Sequence, residues 1–416
     1  MAERPCTALH VPGERGEGEE GDKETGRGGD CDALLLMILA SINLVLVFAI
    51  TVYLIWGVMS IRRMADLPFD EEEFDLPSVS IIAPARNEEA CIEAALASLL
   101  QQDYEKLEFI LINDRSTDKT GEILAAAADS DPRVRFIQID DLPAGWLGKN
   151  HALHVAAELA TGDYLLFVDA DVVMDAKMIR RAMQVVRRDN LDHFTCGFEA
   201  RMPSSLLRCT VALFTICFAI FFRPWKAKDP RSSAYIGIGG FNLVRASAYH
   251  EVDGHKSIAM RPDDDVKLGK VLKEAGFRQE FFDAAELIYV PWYASLPELT
   301  VGLEKNAFAV FHYRLWLMLT CSLMLLYVPG APMISIWITH GAAWWINLIA
   351  LLLVFLLTGL VAKGLRFSPL CVVWLPIVLP LFTWVIWRAA WLTYRQGGIR
   401  WRGTLYSLDE LRGNSV

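Results

Sequence analysis

Two aspartates, Asp169 and Asp171, stand one residue apart where the apolar run Tyr164-Leu165-Leu166-Phe167-Val168 gives out. Such a run is a buried strand, and a turn after Val168 aims both carboxylates at one small cavity, the oxygen donor set that suits a hard divalent cation. Asp-x-Asp at a strand end is also common as plain structure, so its neighbours decide its meaning. Polar clusters close two more apolar runs: Arg86-Asn87-Glu88 lies beyond residues 79–83 and Pro84, and Asn113-Asp114 ends residues 107–112. Asp263-Asp264-Asp265 opens the short amphipathic stretch 266–272, where one carboxylate can face a cleft while another caps the helix. Crowding raises the pKa of at least one of the three, which suits a general base; an acidic first turn favoured by the helix dipole is the alternative. The cluster Gly237-Ile238-Gly239-Gly240-Phe241-Asn242 is too glycine-rich for a strand interior, so backbone there comes close to a ligand. Lys149, after Gly145-Trp146-Leu147-Gly148, either reaches a phosphate or is an exposed lysine at a helix start. His151 and His154 either share a metal or form a polar helix face.

The elements that must carry these residues alternate. Residues 79–83, 107–112, 134–139 and 164–168 read as strands, while 90–100, 121–128 and 151–160 have helical spacing. Strand-then-helix repetition implies an α/β domain with a mostly parallel, Rossmann-like sheet, and ligands gather beyond the carboxyl ends of such strands. Three of the polar clusters fall at those ends.

Composition bounds the rest. Of 416 residues 53% are hydrophobic and 13 are Trp, which places part of the chain in lipid. Residues 34–60 suffice for the roughly 20 residues of one crossing, and Arg62 and Arg63 at their far end put the following domain in the cytoplasm by the positive-inside bias. Residues 1–33 form an acidic, Gly-rich tail expected to be disordered. The domain occupies 78–294, and 308–392 hold about three further membrane helices, in blocks 315–328, 333–361 and 370–392 separated by Pro329-Gly330-Ala331-Pro332 and Lys363-Gly364-Leu365-Arg366. Three crossings conflict with the arginines of the 393–416 tail, which favour the inside. Residues 206–222 are apolar but short; they lie either in the headgroup region or in the core. A net charge of −10 without a basic, aromatic-interleaved stripe excludes nucleic acid. The eight cysteines form no Cys-x-x-Cys pair and read as reduced and structural.

Pro84-Ala85-Arg86-Asn87-Glu88, Asn113-Asp114-Arg115-Ser116-Thr117-Asp118, Gly148-Lys149, Asp169-Ala170-Asp171, Gly239-Gly240-Phe241-Asn242 and Asp264-Asp265-Val266-Lys267-Leu268 together resemble the inverting nucleotide-sugar glycosyltransferases of family two, with a GT-A fold. The resemblance implies a base-edge acceptor at Asp114 and a nucleoside pocket shaped by Pro84, Arg86 and Glu88; the alternative for Asp114 is a cap on the next helix. It also implies Lys149 on the donor, Asp171 as main ligand of Mg²⁺ or Mn²⁺, Asp169 bridging sugar and metal, and Gly239, Gly240, Phe241 and Asn242 on the acceptor side. Asp265, with Asp264 beside it, becomes the catalytic base. Membrane-bound branches of the family match the flanking helices. The Gln-x-x-Arg-Trp element of its processive synthases is absent, since Gly302-Leu303-Glu304-Lys305-Asn306-Ala307-Phe308 stands in its place. The ending Gly397-Gly398-Ile399-Arg400-Trp401-Arg402-Gly403 is similar to bacterial ceramide, hopanoid and carotenoid glycosyltransferases, or serves as an interface anchor. The expectation is an integral protein of a bacterial inner membrane that moves one hexose from a nucleotide-sugar, UDP-linked, to a lipid hydroxyl. A polysaccharide synthase and an inactive membrane scaffold are the rivals.

Overall fold

The computed structural model describes residues 21–71 and 75–413. Helix α1 (Gly21–Met59) leads into β1 (Arg62–Arg63), and β2 (Val79–Ala85), α2 (Ile92–Leu100), β3 (Leu107–Asp114), α3 (Thr120–Ser130), β4 (Val134–Ile139), α4 (Gly148–Leu159) and β5 (Tyr164–Phe167) follow in alternation. Next come β6 (Val173–Met174), α5 (Met178–Asp189), β7 (His193–Gly197), β8 (Glu199–Ala200), α6 (Ser205–Phe222), β9 (Asn242–Arg245), α7 (Ala246–Glu251), α8 (Gly254–Ser257), α9 (Asp264–Glu274), β10 (Gln279–Asp283) and β11 (Ile288–Val290). Helices α10 (Leu296–Ala307), α11 (Leu315–Ser335), α12 (Gly341–Gly364) and α13 (Leu375–Gln396) precede the hairpin β12 (Gly398–Trp401) and β13 (Thr404–Ser407), and α14 (Leu408–Gly413) ends the described chain.

Eight strands form the central sheet in the order β1-β10-β7-β9-β5-β2-β3-β4. Its pairings are parallel except those made by β9, which runs antiparallel to both β5 and β7. Consecutive residues of β2 and β3 enter opposite cores. Ile81, Phe109 and Leu111 pack on one face, whereas Ile82, Ile110 and Ile112 pack on the other. Because both faces are covered, these strands read as unbroken apolar runs rather than as alternation.

Pro84 does not close the first strand, as its type suggested; β2 continues to Ala85. Ile82 O still accepts from Val168 N at 3.1 Å on the β5 side, but two residues on the missing N–H of Pro84 faces a flank where β5 has already ended. No ladder bond is lost there. Helix α4 begins at Gly148, three residues ahead of the expected start. The Pro329-Gly330-Ala331-Pro332 separator is also corrected, for it lies inside α11, whose two prolines sit among neighbouring helices. Pro is tolerated in such helices when neighbours make good the lost backbone bond.

Among the described residues five helices are long and apolar enough to cross a membrane: Asp32–Met59, Ser205–Lys226, Leu315–Ser335, Gly341–Gly364 and Pro369–Gln396. The expected unstructured tail lies outside the described residues as far as residue 20, and α1 runs from Gly21. Helix α6 packs against α12 and α13 as part of the bundle. Arg62 of the edge strand β1 is tied to Glu280 of β10 and Asp189 of α5, each at 2.6 Å, so the end of α1 is fastened to the sheet and to the helix beside it.

Candidate active site

Loops after β2, β3 and β5 meet at one end of the sheet. The first two are stapled together. Asn87, in the left-handed region at φ 55°, accepts from Thr117 N at 2.8 Å, while Thr120 Oγ1 accepts from Glu88 N at 2.8 Å. Asp118 Oδ1, rather than Asp114, takes the first amide of α3, from Thr120 N at 3.0 Å, so the capping alternative for Asp114 falls away. Asp114 is buried, and both its oxygens accept from the Arg115 guanidinium, at 2.7 and 3.1 Å. Arg86 Nη1 stands 3.9 Å from the same carboxylate.

The adjacent aspartates Asp263, Asp264 and Asp265 have three different partners. Asp263 is buried and bidentate with Arg261, at 2.9 and 3.0 Å. Asp264, also buried, lies 3.3 Å from Lys149 Nζ, which reaches Asp169 Oδ1 at 2.8 Å. Lys149 is therefore neither exposed nor idle; it bridges carboxylates from two elements. Asp265, the most open of the three, accepts from Gly239 N and Val266 N, each at 2.8 Å. Burial, then the charge of Asp264, pushes the Asp265 carboxyl up to about 7. Burial opposes charge on Asp169 too, but Lys149 prevails and holds it below the usual carboxylate range.

The glycine loop divides. Gly239 belongs to the site: its carbonyl accepts from Asp169 N at 3.0 Å, and a Cβ there would lie 2.5 Å from Asp169 Oδ2, so any side chain would displace that carboxylate. Gly240 packs against the Phe198 ring. Phe241 and Asn242 do not form an accessible acceptor wall. Phe241 is fully buried and edge-on to Phe194, and Asn242 starts β9 with its side chain bonded to His193. Pro84 ends up partly exposed at the mouth of β2.

Asp171 lies next to this cluster, and among the described residues no cationic side chain bridges it. Burial, followed by Asp169 and Glu88, pushes its carboxyl up to about 7. No group of three or more His, Cys, Asp or Glu among the described residues is arranged to hold a metal. An Asp169–Asp171 pair fits a hard cation that draws its remaining oxygens from phosphate and water, as Mg²⁺ sites do. His151 and His154 instead pack on Trp146, at 5.6 and 4.9 Å between ring centroids.

Three residues, Asn150, Lys305 and Arg402, reach the site without having been singled out for it by the sequence. Asn150 is completely buried, and its Nδ2 donates to Ile258 O and Arg261 O at 2.9 Å, pinning the start of α4, and so Lys149, to the loop before Asp263. Lys305 of α10 lies in the field of Asp264, Asp169 and Asp265 and 4.3 Å from the Trp401 ring, where burial and Lys149 lower its pKa. Arg402, at the turn of the C-terminal hairpin, donates to Arg86 O and Glu88 Oε1, both at 2.7 Å. The Ser295–Glu298 cap signals α10, with Ser295 Oγ accepting from Glu298 N at 3.3 Å, but nothing local says that Lys305 faces the carboxylates of Asp264, Asp265 and the far more distant Asp169.

Helix α10 also faces the bundle of apolar helices. Leu303 and Asn306 wall a cavity of about 430 Å³ between α1, α6, α11, α12 and α13, lined by side chains such as Phe214, Val354 and Phe382. Among the described residues Asn306 Oδ1 is buried without a hydrogen-bond partner. One helix thus separates an apolar chamber from the acidic site.

Residues 80–253 match the family described as Glycosyl transferase family 2. The chain is 26% identical over 226 residues to a 4,4'-diaponeurosporenoate glycosyltransferase of Staphylococcus haemolyticus, a match spanning 53% of this chain and 58% of that protein. With a 4,4'-diaponeurosporenoate glycosyltransferase of Staphylococcus aureus strain MRSA252 the identity is 22% over 396 residues, 88% of this chain and 98% of that one. In fold it is similar to the mannosyltransferase PcManGT of Pyrobaculum calidifontis, solved with GDP-Man and Mn²⁺, at a TM-score of 0.50 and 17% identity over 86% of this chain and 98% of that one.

Proposed function

We propose, from the match of residues 80–253 to the family described as Glycosyl transferase family 2, that the protein transfers a single hexose from a nucleotide-sugar to the hydroxyl of a membrane lipid, with inversion. The observation that carries the acceptor side is the cavity: its apolar wall and the acidic site share α10, with Leu303 and Asn306 on one side of Lys305 and carboxylates on the other. A hydrocarbon chain in a chamber of about 430 Å³ leaves its polar end near the site, and the volume is in the range of small-molecule pockets. The relatives named for 4,4'-diaponeurosporenoate glycosylation support an acceptor of lipid character.

In this reading Asp114, with Arg86 and Arg115, faces the nucleoside, and Lys149 and Lys305 lie toward the departing diphosphate. Asp265 takes the proton of the acceptor hydroxyl as that oxygen bonds to the anomeric carbon. The bond from that carbon to the diphosphate oxygen breaks in the same displacement, and the nucleoside diphosphate leaves with the electron pair. Asp264 stays paired with Lys149, which leaves Asp265 as the single base. Gly239 N holds one Asp265 oxygen in place. A Mg²⁺ or Mn²⁺ held by Asp171 and Asp169 would neutralise charge on the leaving diphosphate.

Full-length protein in detergent, given UDP- and GDP-hexoses with a bacterial lipid extract, is expected to release nucleoside diphosphate faster with lipid than without it. Asp265→Asn should lower the lipid-dependent rate by about 10²–10⁴-fold. A lipid-independent wild-type rate would refute the lipid acceptor.

A further inference from the structure

The C-terminal hairpin is built at some conformational cost to present one side chain. Strands β12 and β13 pair from Gly398↔Ser407 to Trp401↔Thr404, which leaves Arg402 and Gly403 as the two-residue turn, both at positive φ, 46° and 85°. Such turns favour Asn, Asp or Gly at both positions. Arginine in the first position is an unfavourable choice for the turn alone, and a backbone outlier of this kind points to what its side chain does.

Packing holds the hairpin firmly. Ile399 and Tyr406 are buried, β12 packs on α10 and α13, and Arg412 Nη2 donates to Tyr313 O at 3.3 Å. From this base the guanidinium reaches the loop after β2, more than three hundred residues earlier, to meet Glu88 Oε1 and Arg86 O. Those two contacts use two of its five N–H groups, and the side chain remains 39% exposed. Asp169 and Arg86 both lie within its electrostatic reach. Arg402 is thus a fixed, half-open fork of N–H donors against the loop after β2, within electrostatic reach of Asp169, and its geometry matches phosphate oxygens.

We propose that Arg402 binds the diphosphate of the donor, with Glu88 and the Arg86 carbonyl holding its guanidinium in register. The inference rests on the nucleotide-sugar reading above and adds a wall to the donor site that lies outside the family 2 domain.

The test is calorimetric binding of UDP, GDP, UMP and GMP to the full-length protein in detergent with Mg²⁺. Arg402→Ala is expected to weaken the nucleoside diphosphate that binds wild type by about tenfold or more, the size of one charge-assisted hydrogen-bond pair. Binding of the matching monophosphate should change far less, and Arg402→Lys should recover part of the loss. Glu88→Gln should weaken diphosphate binding less than Arg402→Ala. Equal diphosphate binding by wild type and Arg402→Ala would overturn the proposal while leaving the transferase reading intact. Equal losses of mono- and diphosphate would make Arg402 a strut for the loop and overturn it as well. Wild type that binds none of the four nucleotides would defeat the nucleotide-sugar reading itself.

Discussion

In the proposed transfer Asp265 is the residue on which the chemistry turns, because its neighbours set both its aim and its charge. Gly239 N and Val266 N fix the carboxylate, while burial and Asp264 push its pKa up to about 7. A base works in its deprotonated form, which dominates above the pKa. Transfer is therefore expected to fall as pH drops below neutrality and to level off above it, read as kcat/KM against pH for the full-length protein in detergent. A profile flat through neutral pH would remove Asp265 from proton transfer. At this scale the sequence identified the acidic motifs but not their pairing. The run Asp263-Asp264-Asp265 gives no hint that Lys149 takes Asp264, a partner set by three-dimensional approach, while the local pairing of Arg261 with Asp263 went unread. The acceptor-side tetrad was legible only by half: Gly239 reaches the site, whereas Phe241 is a core aromatic, a distinction that depends on which way β9 begins.

Among the elements, alternating strands and helices were legible because a sheet covered on both faces writes each strand as an apolar run with a polar end. Boundaries were less so. Pro84 and the Pro329–Pro332 segment look like stops in one dimension but are accommodated by a neighbouring strand that ends early and by surrounding helices. Docking of α1 was invisible in sequence, where it is only an apolar span. Gly57 of α1 touches the Trp225 ring, and a Cβ there would sit 2.3 Å from it; Leu54, Ile216, Ala219 and Leu357 complete that contact. Gly57→Leu should cost about 1–3 kcal/mol by overpacking, measured by thermal unfolding in detergent. Adding Trp225→Ala should relieve part of it. Gly57→Leu as stable as wild type would mean that α1 is not seated on Trp225.

As a whole, the molecule joins an α/β domain to a bundle of apolar helices, and α10 and the C-terminal hairpin are the parts that connect them. Helix α10 puts Lys305 beside Asp264 while its neighbours Leu303 and Asn306 line the cavity, and the hairpin after α13 brings Trp401 to Lys305 and Arg402 to Glu88. In the proposed reading, donor and acceptor sides thus share two structural elements from outside residues 80–253. The most direct measurement is mass spectrometry of lipids after wild-type and Asp265→Asn proteins are incubated with a nucleotide-hexose and a membrane lipid extract. The account predicts a lipid heavier by one hexose with wild type and far less of it with Asp265→Asn. A ladder of successive hexose additions, or no lipid gaining mass, would contradict it.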